Sequence, residues 1–306
     1  MTDSTEKKGQ VETTGHVWDG DLREYNNPLP RWWLWAFYGT VIFAVVYWFL
    51  YPAWPVGNDY TKGMSTITYS VENEEGEMVE HTTHWNSRSL LERDMRESPA
   101  AVRQADWIQK VEGMSFEEIV EDPNTLNFAR SMGRGLFGDY CAACHGMGGQ
   151  GQLPYFPSLV NGNWIWGSSY EQIEQTLING RKGNMPGFAN IQGEARDDLV
   201  QYVLSLSGTE GLDQEAVQRG KAGYAVCAGC HGMDGTGNPM LGAPNLTNQA
   251  WSYANIPGAQ SLEEKKALIA GVITNGIQRE MPAFGERLDP VSLKMLSIYV
   301  REMSGQ

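Results

Sequence analysis

The sequence predicts a mainly α protein in which one membrane-spanning helix precedes two tandem, sibling helical domains. Three observations carry that expectation. A charge-free apolar run, WWLWAFYGTVIFAVVYWFLYPAW, occupies 32–54. Downstream, the phrase CAACHGMGGQG at 141–151 returns as CAGCHGMDGTG at 227–237. Around each copy, apolar residues recur at helical spacing rather than in strict alternation. With 306 residues, 41% hydrophobic and 20% charged, the chain has room for two small domains and further segments.

Residues 1–31 form a polar lead-in that ends in EYNNPLPRWW. The residue before a proline is biased away from the helical region, so Asn-Pro and Leu-Pro argue for an extended, interfacial approach rather than a continuous helix. The run 32–54 follows. As a helix it would span about 34 Å, enough for a hydrocarbon core of about 30 Å. Tryptophans and tyrosines gather at both ends, where amphipathic rings sit at headgroup level. A cleaved signal peptide fits poorly, because a long polar segment precedes the run and no small-residue cleavage site follows it. Lys7, Lys8, Arg23 and Arg31 lie before the run and only Lys62 lies close behind. Positive charge stays inside, which places the N-terminus in the cytoplasm and everything after Pro55 outside.

Residues 55–123 read as an external linker. MSTITYSV and EMVEHTTH flank the acidic turn ENEEGE with β-branched, alternating character, the pattern of a short hairpin. SLLERDMRES and AAVRQADWIQKVEGM carry helical spacing. His81 and His84 stand three apart on the second arm, on opposite faces of a strand, which suits solvated or structural roles better than shared chelation of one metal.

Residues 124–208 and 209–306 are the sibling domains. Copy one runs GRGLFGDYCAACHGMGGQG, LINGRKGNMPGF, DDLVQYVLSLS; copy two runs GKAGYAVCAGCHGMDGTG, VITNGIQREMPAF, SLKMLSIYVREMS. Each has a helix entering the Cys phrase, a Gly-rich loop, a helix closing at Asn-Gly, a Met-Pro loop and a final amphipathic helix. Leu199, Tyr202, Val203 and Leu206 make one apolar face, and Leu296, Tyr299, Val300 and Met303 its counterpart.

Cys-x-x-Cys-His is the attachment pattern of a c-type haem. Two thiols add across the vinyl groups, and the adjacent histidine becomes an axial ligand. The phrases therefore assign two covalently bound haems c, to Cys141, Cys144 and His145 and to Cys227, Cys230 and His231. All 4 cysteines are used, so a disulfide scaffold is excluded. A shared zinc site is the alternative, but zinc ribbons separate their pairs by about 15–20 residues, whereas here a whole repeat intervenes. A thioredoxin-like dithiol lacks its βαβ surroundings.

Among 5 histidines none is spare after His84 except the two in the phrases, so methionine is the expected sixth ligand. Met147 and Met233 lie too near their own histidines to reach the opposite face. Met185 is then the candidate in copy one. In copy two Met240, Met281, Met295 and Met303 are available, and Met281 is preferred because EMPAF after VITNG repeats NMPGF after LING. An iron held by His and Met has both axial positions filled, which fits electron transfer rather than substrate binding. Arg181, whose counterpart is Ile277, is either a propionate partner or a solvated charge. Trp164, Trp166 and Trp251 read equally as haem covers or as ordinary core.

Both repeats resemble class I cytochrome c domains, with Gly133 and Phe137, and Gly220 and Tyr224, on the entering helices. The chain as a whole resembles the dihaem, membrane-anchored subunit III of cbb3-type cytochrome c oxidases. The resemblance rests on GHVWDGDLREYNNPLPRWWLW before a single membrane helix, on NWIWGSSYEQIEQTLINGRKGNMPGF, and on the two haem phrases. It implies electrons arriving from a bc1 complex or a donor cytochrome c, soluble or membrane-bound. They would pass to a monohaem cytochrome c subunit and then to a catalytic haem–copper subunit. It also implies a bacterial inner membrane with the haem domains in the periplasm, and no catalytic centre in this chain. A free-standing anchored dihaem cytochrome, the cytochrome subunit of a periplasmic dehydrogenase, and a dihaem peroxidase with one open iron are the rival readings. A net charge of −14 disfavours nucleic acid and suits a basic donor, or simply solubility.

Overall fold

A computed structural model describes residues 12–73 and 75–305; Lys7 and Lys8, which enter the orientation argument, lie outside them. The fold is mainly α and divides into two compact units, residues 1–104 and 105–306.

In the first unit, β1 (Thr13–Trp18) and β2 (Leu22–Tyr25) form an antiparallel hairpin. Its loop turns through positive φ at Asp19 (49°) and Gly20 (88°). The extended lead-in thus folds back once before the prolines. The Asp-Gly pair, which tolerates such backbone, is the local cause.

Helix α1 (Arg31–Leu50) has no buried residue and is long and apolar enough to cross a membrane. Its 20 residues span about 30 Å. It stops short of the 32–54 run because Tyr51, ahead of Pro52, is extended (φ −123°, ψ 161°). The chain then forms β3 (Pro55–Val56) and β4 (Asp59–Tyr60), followed by the antiparallel pair β5 (Thr66–Glu72) and β6 (Met78–His84). Alternation buries Ile67 and Tyr69 on one face of β5. There the Tyr69 hydroxyl donates to Glu92 (2.6 Å) on α2 (Ser87–Glu97), a helix capped by the Asn86 side chain. His81 and His84 are both exposed.

The second unit takes up the rest of α3 (Pro99–Glu112), then α4 (Phe116–Glu121), α5 (Pro123–Tyr140), α6 (Ala142–His145), α7 (Tyr170–Asn179), β7 (Arg181–Met185), α8 (Gly193–Leu206), α9 (Gln214–Gly223), α10 (Ala225–His231), α11 (Leu262–Asn275), β8 (Ile277–Met281) and α12 (Pro290–Met303). The two repeats have the same element order, but they do not pack as two contiguous domains. Helix α12, from the end of copy two, lies on α5 and α7 of copy one; α8, from the end of copy one, lies on α9 and α11 of copy two. Each core is accordingly mixed. Phe137, Ile173 and Leu177 pack with Leu293, Leu296 and Val300, whereas Leu199 and Val203 pack with Val217, Tyr224 and Ile273.

The exchange happens at a two-stranded ribbon. Strands β7 and β8 pair antiparallel, Arg181 opposite Met281, Gly183 opposite Arg279 and Met185 opposite Ile277. Beyond each strand the chain enters the other half: Phe188 N–H donates to the Ile273 carbonyl (2.8 Å) and Phe284 N–H to the Leu177 carbonyl (2.8 Å). Close helix crossings complete it. Gly133 on α5 leaves room for Tyr299 and Gly220 on α9 for Tyr202. The ring pairs Phe137–Tyr299 and Tyr202–Tyr224 stand 5.7 and 5.1 Å apart, tilted 57° and 59°.

Candidate functional site

Each Cys phrase caps a helix and opens an apolar cleft. Helix α6 carries Cys144 and His145, with Cys141 as its N-cap; α10 carries Cys227, Cys230 and His231. Gly146 (φ 77°) and Gly232 (φ 79°) end these helices in a backbone that side chains resist, so the chain turns directly under the histidine. The loops then return on themselves: Gly151 N–H donates to the His145 carbonyl (2.7 Å) and Gly237 N–H to the His231 carbonyl (2.8 Å).

The same loops position the imidazoles. His145 Nδ1 lies 3.0 Å from the Pro157 carbonyl, and His231 Nδ1 lies 3.0 Å from the Pro244 carbonyl. A carbonyl can only accept, so Nδ1 carries the hydrogen and Nε2 keeps its lone pair for a metal. Burial lowers the pKa of His145 against the opposing pull of Pro157, which favours the neutral, ligating ring. Burial also pushes the Cys141 thiol up to about 11, with Cys144 adding to it, and raises that of Cys227. These are thiols in apolar surroundings, not activated thiolates.

Reading the sequence in order missed the two prolines. The signal was present: Pro157-Ser-Leu-Val-Asn161 returns as Pro244-Asn-Leu-Thr-Asn248.

Met281 lines the cleft of Cys141, Cys144 and His145, and Met185 lines the cleft of Cys227, Cys230 and His231. Partnering by order along the chain had put Met185 with His145 and Met281 with His231. The structure instead groups each histidine with the methionine of the other repeat, because the chain changes halves at the ribbon. The other candidates are elsewhere: Met240, Met147 and Met233 are exposed, Met295 is fully buried among Val111, Ile119 and Ile298, and Met303 packs on the first core. Asn163, Gly183 and Tyr253 line both clefts and make their common wall. Asn163 is held there by donating to the Ala250 carbonyl and to Ser252 Oγ (3.2 Å).

The clefts suit a porphyrin. Counting its open mouth, each offers about 1,280 or 1,220 Å³, lined mainly by apolar side chains. Three buried polar atoms find no partner among the described residues: Trp164 Nε1, Arg279 Nε and Tyr224 Oη. Trp164 and Arg279 line the first cleft and Tyr224 the second, as expected where an acceptor-bearing group completes the wall. Burial raises the Tyr224 hydroxyl to about 12.

Residues 129–203 and 215–300 match the family described as cytochrome c oxidase, cbb3-type, subunit III. The chain belongs to that family. A second match, the N-terminal domain of cytochrome oxidase-cbb3, FixP, covers residues 10–58. The chain is 39% identical to the cbb3-type cytochrome c oxidase subunit FixP of Azorhizobium caulinodans, over 97% of this chain and 94% of that one. It is 36% identical to subunit CcoP of an Azospirillum species, over 96% of each. The CcoP of Cereibacter sphaeroides is 33% identical, over 98% of this chain and 97% of that one. The subunit III match takes in both Cys phrases, both histidines and both methionines.

Proposed function

We propose that this chain is the membrane-anchored electron-entry subunit of a cbb3-type oxidase. It carries two covalently bound haems c and no oxygen-reducing centre of its own. The observation that carries the proposal is the content of the clefts: each gathers one Cys-x-x-Cys-His phrase and one methionine. Cys141 and Cys144 would form the thioethers of the first site, with His145 and Met281 as axial ligands. Cys227 and Cys230 would do so in the second, with His231 and Met185. When bound, each haem would supply a reversible one-electron iron couple, with one histidine and one methionine to hold its iron.

The chain's own residues hold that chemistry in place. The Pro157 and Pro244 carbonyls fix each imidazole's tautomer and orientation, and the apolar walls exclude water. Helix α1 anchors the protein in the bacterial inner membrane. Arg23 and Arg31 favour a cytoplasmic N-terminus, with the clefts on the periplasmic side. Its partners are the catalytic haem–copper subunit, the monohaem cytochrome c subunit, and a donor cytochrome c or bc1 complex. With two of its 5 histidines lining the clefts and His16, His81 and His84 exposed, the described residues hold no set of buried imidazoles of the kind oxygen reduction would use.

Purification from bacterial membranes in mild detergent tests this. The expected result is a haem-staining band with two covalent haems per chain, accompanied by a haem–copper subunit, and a carbon monoxide difference spectrum of the isolated chain that barely responds. A lone cytochrome, or a strong carbon monoxide response, would contradict it.

A further inference from the structure

The two clefts are matched in their ligands but not in their charge. Both histidines meet a proline carbonyl at 3.0 Å, both methionines come from a Met-Pro loop, and the volumes are alike. The first cleft is lined by two guanidiniums, Arg181 and Arg279; among the described residues no arginine or lysine lines the second. The asymmetry is built into the ribbon, where Arg181 has Ile277 as its repeat counterpart and Arg279 has Gly183. Through the exchange of halves, Arg279 of copy two reaches the cleft of copy one.

Neither arginine is ion-paired among the described residues. Arg181 Cζ stacks 4.7 Å from the Trp166 ring and its Nε donates to Thr176 (2.9 Å). Arg279 Cζ lies 5.6 Å from the Tyr155 ring, its Nη1 donates to the Gln278 carbonyl (2.8 Å), and its buried Nε has no partner. The carboxylate on the same wall, Glu280, is exposed and faces Lys182 at 3.3 Å. Two uncompensated cations therefore converge on the first cleft.

We propose that Arg181 and Arg279 serve the porphyrin carboxylates of the first site and make it the higher-potential of the two couples. This rests on the two-haem reading above. The ferric state carries one more positive charge than the ferrous, so fixed cations in a poorly solvated cleft disfavour it and raise the potential.

The test is spectroelectrochemical titration of the full, haem-loaded chain. The first haem is marked by Cys144→Ala, which leaves one vinyl group conjugated and shifts that haem's absorption to longer wavelength. The marked couple should be the higher. Arg279→Gln should shift its oxidised-to-reduced ratio at fixed poise about tenfold toward oxidised, about 59 mV for one electron. The unmarked couple should move much less. Arg279→Lys should restore most of the shift, which a merely structural role would not, and Arg181→Ile should act in the same direction. A marked couple that is the lower, or that stays put in both Arg279→Gln and Arg181→Ile while two haems remain bound, overturns the proposal. Fewer than two covalent haems in the unmutated chain overturns the two-haem reading instead.

Discussion

At Gly180 and Gly276 the backbone has no room for a methyl group. Both hold positive φ (66° and 70°), and a Cβ on either would collide with a methionine carbonyl of the other repeat, Met281 for Gly180 and Met185 for Gly276. These glycines end the helices ahead of the ribbon and seat the opposite Met-Pro loop. Gly180→Ala or Gly276→Ala should cost about 1–3 kcal/mol from backbone strain alone, read as a lowered thermal midpoint of the haem-loaded chain. Each should also weaken the near-infrared methionine-to-iron band of one haem. That the four cysteines, two histidines and two methionines gather at two clefts was legible in the sequence, because motif and repeat position both mark them. The pairing was not. Spacing along a chain says which residues are equivalent, and only the register of β7 against β8 says which of two equivalent methionines faces which histidine.

Helix crossings explain why the halves interlock. A Cβ on Gly133 would lie 2.5 Å from the Tyr299 Cβ and 2.8 Å from the Met295 carbonyl, and one on Gly220 would collide with the Asp198 carbonyl. Close approach lets Phe137 and Tyr299, and Tyr224 and Tyr202, meet as tilted ring pairs. Overpacking should therefore make Gly133→Ala destabilising by about 1–3 kcal/mol. Gly135→Ala, two residues along the same helix with open space around it, should be neutral or stabilise by up to about 1 kcal/mol. Chemical denaturation of the two variants side by side checks the contrast, and equal effects would refute the crossing. At this scale the apolar faces of α8 and α12 were readable from their 3.6-residue period, as was the β5–β6 alternation. The β1–β2 hairpin was missed although Asp19-Gly20 advertises a turn, and α1 ends four residues before the apolar run does because Pro52 outweighs hydropathy.

Taken as a whole, residues 105–306 form one compact unit with shared cores rather than two beads on a string. The first core needs Phe284, Leu293, Leu296 and Val300, all supplied after residue 280. A chain truncated at residue 208 should then show no cooperative unfolding and should elute as aggregate, while co-expression with 209–306 should rescue a folded pair. Independent folding of the truncated chain would contradict the exchange. The charge of −14 acts at the same scale. Electron delivery from a basic donor cytochrome should slow by about tenfold or more as ionic strength rises, measured by stopped flow, since steering is screened by salt. What no pattern reading reached is this unity: a repeat in sequence implies two equivalent folds, yet the contacts that close each fold are long-range and carry no local signature.

The exchange itself is most directly tested by ligand substitution in the chain whose first haem is marked by Cys144→Ala. Histidine in place of an axial methionine lowers that haem's potential, on the order of 100 mV or more given the range axial ligands command. Met281→His should lower the marked couple and leave the other nearly untouched, and Met185→His should do the converse. If Met185→His lowers the marked couple instead, each iron is held within its own repeat and the crossed architecture is wrong.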